Sequence, residues 1–179
     1  MAQFGIENIR NVVLLSHSGS GKTSLTEAIL FNNQDVGRLG KVDEGNTASD
    51  FDPEEIKRRI SINLTVLTTK WRDDRVNLID TPGYPDFVGE VFSSISVVEG
   101  AVLPVCAASG VEVGTEQAWK ALEDAALPRI ICLNKMDREN ADFPKAVAQL
   151  REMFGTRCAP IQVPIGSQAD FKGYVNILT

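Results

Sequence analysis

A chain of 179 residues, 43% apolar and 23% charged, has the mixture of an ordinary globular domain and the length to cover a sheet on both faces. Acidic residues exceed basic ones, 24 against 18, for a net charge of −6. That excludes a DNA or RNA binder relying on a broad basic field, though not a local docking patch. No stretch approaches the roughly 20 apolar residues of a membrane span, and MAQFGIENIR lacks a signal-peptide core. Cys106, Cys132 and Cys158 form no close pair and read as reduced thiols. A cytoplasmic monomer is expected.

In chain order, the apolar run 11–15 predicts a buried strand. A helix over 23–32 follows, with Leu25, Ala28 and Ile29 at helical spacing. From 31 to 55 the chain is polar, with Gly37, Gly40, Gly45 and Pro53, and reads as a long functional or mobile loop. Alternation over 60–68 predicts a strand, with Ile60, Ile62, Leu64 and Val66 on one face. Asp73-Asp74 turns it into an antiparallel partner over 75–80. A helix over 85–98, a strand over 101–106, a helix capped by Thr115 and a strand over 129–133 come next. Asp142 caps a further helix that Gly155 ends, and 160–165 is a last strand. This alternation predicts an α/β fold, a three-layer sandwich around a mostly parallel sheet.

Three motifs carry chemistry. Ser16-His17-Ser18-Gly19-Ser20-Gly21-Lys22-Thr23 joins a strand to a helix, the context of a phosphate-binding loop, although Ser16 replaces the first glycine of the strict pattern. Backbone N–H groups would surround phosphate oxygens, Lys22 would neutralise the β- and γ-phosphates, and the Thr23 hydroxyl would bind Mg²⁺, with Ser24 beside it. Asp80-Thr81-Pro82-Gly83 ends a strand: Asp80 suits a magnesium-bound water, and Gly83 brings a bare N–H toward the γ-phosphate. Asn134-Lys135-Met136-Asp137 follows another strand. Asp137 would accept from guanine's two N–H donors, which adenine lacks, while Lys135 covers the base and Asn134 ties this loop to the phosphate loop.

Together these segments resemble the translational GTPases, and within them the elongation factor G-like proteins. The resemblance runs from Asn8 to about Phe143 and is carried by 16–26, RVNLIDTPGYPDFVGE, 100–106 and PRIICLNKMDR. It implies a P-loop NTPase fold, GTP/GDP and Mg²⁺ as ligands, hydrolysis with Lys22, Gly83 and Tyr84 as catalytic positions, and the ribosome, its rRNA and proteins, as partner of the full-length protein. The family's Arg-Gly-Ile-Thr-Ile switch corresponds to Arg58-Arg59-Ile60-Ser61-Ile62. Arg59 thus replaces glycine, and Ser61 replaces the threonine that binds the metal. Tyr84 stands where the family has the histidine that positions water. A regulatory module with little hydrolysis, or a ribosome-protection factor, are the alternatives. The resemblance also implies a GTP-binding domain over 1–165, with 166–179 opening an insert of a chain that continues, because no base-closing motif follows Asp137.

Overall fold

The computed structural model describes residues 4–178. The chain's first three residues and Thr179, the end of the expected insert segment, lie outside them. Among the described residues, five strands form one sheet: β1 Ile9–Leu14, β2 Thr65–Trp71, β3 Asp74–Asp80, β4 Gly100–Cys106 and β5 Arg129–Asn134. Their order is β2-β3-β1-β4-β5, all parallel except for the β2–β3 pair. The helices are α1 Lys22–Asn32, α2 Pro53–Arg58, α3 Val88–Ile95, α4 Val113–Asp124 and α5 Phe143–Phe154.

The central strands of the sheet are buried on both faces, as parallel strands require. Val13, Leu15, Ile79, Ala101 and Leu103 meet Ala118 and Leu122 of α4, with Val91 and Ile95 of α3 packed against them. Leu14 and Leu78, one residue out of phase with that set, are buried on the opposite face. The α/β class therefore holds.

Several local readings change. Helix α1 buries Lys22, Thr23, Thr26, Glu27 and Leu30, whereas Leu25, Ala28 and Ile29 are only partly covered. Its inward face is polar because it lies against the functional site. The strand expected from residue 60 begins at Thr65, and Val66 is exposed while Leu67 and Thr69 turn inward. Before it, the Glu55 carboxylate accepts from the N–H groups of Ile62 and Asn63, both at 2.9 Å, so these donors serve no ladder. The helix read over 85–98 is a 3-10 turn, Pro85–Phe87, followed by α3 ending at Ile95. Ser94 and Ser96 hydroxyls donate to the carbonyls of Val91 and Ser93 near its end, local bonds that compete with helix continuation. Thr115 lies inside α4, whose N-cap is Glu112. Asp142 does cap α5, accepting from Lys145 N–H, and Gly155 ends it at φ 92°. The last expected strand starts at Gln162 as β6 Gln162–Ile165, and pairs with β7 Gly173–Asn176 in a separate two-stranded sheet.

The 31–55 segment is folded back on the domain. It contains a 3-10 turn at Val42–Glu44, and α2 begins at its end. Glu27 is 1% exposed and organises it: one carboxylate oxygen accepts from Gly40 N–H at 3.1 Å, the other from Ala48 N–H at 2.6 Å. Asp52 and Glu55 form a reciprocal capping box at the start of α2, with Pro53 in the first turn.

Candidate nucleotide site

The phosphate-binding loop runs from the end of β1 to Gly21, the N-cap of α1, whose φ of 95° suits glycine. A Cβ on Gly21 would also meet the Asn134 side-chain amide. The start of the loop is held from another element. Ser16 Oγ lies 3.2 Å from Thr115 Oγ1, and His17 Nδ1 accepts from Gly114 N–H at 3.3 Å. His17 Nε2 stands 3.5 Å from a Glu112 carboxylate oxygen. The first turn of α4 therefore braces the loop. Replacing the strict motif's glycine by Ser16 has a local reason: its hydroxyl pairs with Thr115 in the core.

Lys22 is 6% exposed, and its Nζ donates to the carbonyls of Ser16 at 3.1 Å and His17 at 3.0 Å. Burial lowers its pKa to about 8 against the pull of Asp80 and Asp50. Gly83 packs onto the loop. A Cβ there would stand 2.5 Å from Lys22 Nζ and 2.6 Å from Ser18 Cα, so only glycine permits the approach. Ser20 is buried with an unpartnered Oγ, Ser18 is half-buried, and Gly19 and Ser24 are exposed.

The hydroxyls of Thr23 and Ser61 lie 3.2 Å apart, although 38 residues separate them. Asp80, at the end of β3, is 1% exposed and accepts from Ser49 Oγ at 2.6 Å. Burial raises its pKa, against the hydrogen bonds of Ser49 and Thr23. Asp50 is buried beside it; burial and the neighbouring carboxylates lift its pKa to about 6, although Ser61 hydrogen-bonds it. One oxygen of each, Asp80 Oδ1 and Asp50 Oδ2, is buried without a partner among the described residues. Two hydroxyls and two orphaned carboxylate oxygens form an oxygen-only donor set, which fits Mg²⁺ completed by water and phosphate. The sequence placed Thr23, Ser61 and Asp80 here; it missed Asp50, Ser49 and Glu27, because no local pattern marks a residue that meets the site through a folded loop.

At the other end, Asn134 Nδ2 donates to Ser20 O at 3.1 Å and Lys135 Nζ to Gly19 O at 2.7 Å. The expected tie between the two loops is thus present. Met136 is buried with Ala107 and Ala141, fixing the turn, while Asp137 is exposed. Thr81 is fully buried, and its hydroxyl donates to Leu14 O at 2.7 Å, which locks β3 to β1 below the site. Pro82 is buried and Tyr84 is 41% exposed; the Tyr84 hydroxyl has no hydrogen bond among the described residues.

The family model of the elongation factor Tu GTP binding domain matches residues 7–178. The chain belongs to this family. It is a translational GTPase G domain. A Thermus thermophilus protein, solved under the designation ttk003000868, is 37% identical and superposes with a TM-score of 0.87 over 94% of this chain. The chain spans 25% of that protein's length.

Proposed function

We propose that this G domain binds GTP with Mg²⁺ and hydrolyses it to GDP and phosphate, coupled to a translocation-like ribosomal step in elongation. The observation that carries the reading is the meeting of Thr23, Ser61 and Asp80 beside Lys22, because these groups come from the phosphate loop, the 31–64 segment and the end of β3. Mg²⁺ held by Thr23, Ser61 and Asp80, with Asp50 behind them, would neutralise charge on the β- and γ-phosphate oxygens. Lys22 would turn from the loop carbonyls to those oxygens. The Gly83 N–H would meet the γ-phosphate, and Asp137 the guanine edge. The elongation factor G-like character rests on RVNLIDTPGYPDFVGE and PRIICLNKMDR, as does the ribosome as partner.

The test is phosphate release from GTP by the full-length protein, with and without ribosomes. Release that needs Mg²⁺, rises with ribosomes and resists competition by ATP is expected. No release under any of these conditions would overturn the reading.

A second reading is favoured by Tyr84. A half-exposed phenol with no hydrogen bond among the described residues is not held over the phosphate pocket and carries no positive charge, so this domain would act as a nucleotide-dependent switch with slow cleavage. Tyr84→His would then raise single-turnover cleavage about tenfold or more with nucleotide affinity unchanged. If the substitution slows cleavage instead, Tyr84 is itself competent and the switch reading fails.

A further inference from the structure

We propose that Arg59 is a catalytic residue that brings a second cation to the γ-phosphate from within the same chain; the inference rests on the GTPase reading above. Three consecutive cations end α2. Lys57 and Arg58 both pair with Glu54, at 3.6 and 2.9 Å. Arg59 is exposed and makes no ion pair or side-chain hydrogen bond among the described residues. It closes the helix as C-cap with φ 57° and ψ 41°, a left-handed conformation that glycine adopts freely and a side chain adopts at a cost of about 1 kcal/mol. A position suited to glycine therefore carries the one guanidinium of this turn that has no partner among the described residues.

The backbone around it is fixed. Glu55, 1% exposed, accepts from Ile62 and Asn63 N–H, while Arg59 N–H donates to Glu55 O. Two residues later, Ser61 Oγ stands 3.2 Å from Thr23 Oγ1. Two residues span at most about 7 Å, so the long side chain starts within its own reach of the space in front of Thr23 and Lys22. Two buried carboxylates, Asp50 and Asp80, face one buried lysine. In the reaction, water oxygen bonds to the γ-phosphorus as the bond to the β–γ bridging oxygen breaks. The electron pair stays on that oxygen in GDP, and the water's proton passes to the released phosphate. Negative charge spread over the γ-oxygens along this path is what a guanidinium stabilises, and an arginine supplied in this way is worth about 10³–10⁵-fold in rate. Tyr84 cannot supply that charge.

The experiment compares wild type, Arg59→Gly and Arg59→Lys in the full-length protein. It measures single-turnover GTP cleavage with and without ribosomes, GTP affinity and Tm. For Arg59→Gly, cleavage about 100-fold slower or more is expected, with affinity held within about threefold, because the cation acts on charge that develops only in the transition state. Its Tm should be equal or higher, since the left-handed strain is relieved, and Arg59→Lys should retain part of the rate. Wild-type cleavage by Arg59→Gly, or joint loss of Tm and affinity, would overturn the assignment and leave the GTPase reading standing. A wild-type protein that cleaves no GTP in either condition would overturn both.

Discussion

At the phosphate loop, single side chains decide between holding charge and shedding it. Asp50 is the clearest case: a buried carboxylate with one orphaned oxygen, its pKa lifted to about 6 from 3.8, chiefly by burial. In the nucleotide-free and metal-free protein its raised value favours the folded state only while the carboxyl is protonated. That contribution is full below pH 3.8 and is lost as pH rises through about 6. Asp50→Asn keeps a partner for Ser61 without the charge. It should leave stability unchanged near pH 4 and raise it by about 2 kcal/mol above pH 6, as read by urea unfolding across that range. A gain independent of pH would show that Asp50 does not bear the buried charge. Asp137 poses the opposite problem, an exposed carboxylate awaiting two donors. Asp137→Asn should weaken GTP about 10–100-fold and improve xanthosine triphosphate, whose ring presents a carbonyl where guanine has an amino group. A competition titration in which both nucleotides weaken equally would place the base elsewhere.

Whole elements are organised here by carboxylates as much as by apolar faces. Glu27 ties the 31–55 segment to α1 through Gly40 and Ala48, and Glu90 of α3 accepts from Leu64 N–H at 2.9 Å, just before β2. Glu27→Ala strands two donors, one of them on buried Gly40, and should cost about 2–4 kcal/mol. Amide exchange over 40–50 should accelerate while the β1 and β3 amides stay protected. If those loop amides exchange freely in the wild type already, Glu27 is not what holds the segment. This dependence also explains what could be read in advance. The strands β1, β3, β4 and β5 were legible because each carries a short apolar run, as in Val12–Leu15, buried at the sheet centre, and Ile130–Leu133 on the edge strand β5. The phosphate and base loops were legible because each is contiguous and sits at a strand end. The 60–64 stretch misled because its apolar alternation mimics a strand while Glu55 claims its N–H groups. Helix α2 carried a readable signal, Asp52-Pro53-Glu54-Glu55, a capping box with proline in the first turn, hidden inside a stretch that looked irregular. The brace between His17, Ser16 and the first turn of α4 joins residues almost 100 apart, at sequence separations of 97 and 99, and had no local signature.

Across the whole molecule, the unmet polar demand converges on one place. Four of the five buried side-chain atoms without partners among the described residues, those of Ser20, Thr26, Asp50 and Asp80, belong to the phosphate loop, to α1, or to the segments facing them. Among the described residues, buried Lys22 is hydrogen-bonded there only by two loop carbonyls. The rest of the domain, by contrast, is a conventional core sheet with its ladders complete. A fold that concentrates unsatisfied groups in this way gains stability when the matching ligand arrives, because binding to the folded state alone shifts the unfolding equilibrium. At a nucleotide concentration of 100 times Kd the shift is about 2.7 kcal/mol, or roughly 5–10 °C in Tm for a domain of this size. The size of the shift should depend on which groups are satisfied. GDP with Mg²⁺ should meet both the loop and the orphaned carboxylate oxygens, GDP with a chelator only the former, and Mg²⁺ alone only the latter. Thermal unfolding in these conditions, with ATP and Mg²⁺ as the base control, should therefore rank GDP–Mg²⁺ first and ATP–Mg²⁺ close to Mg²⁺ alone. Equal shifts from ATP and GDP would mean that the base loop around Asp137 contributes nothing to recognition. Equal shifts with and without chelator would mean that Asp50 and Asp80 are left orphaned for some reason other than a cation.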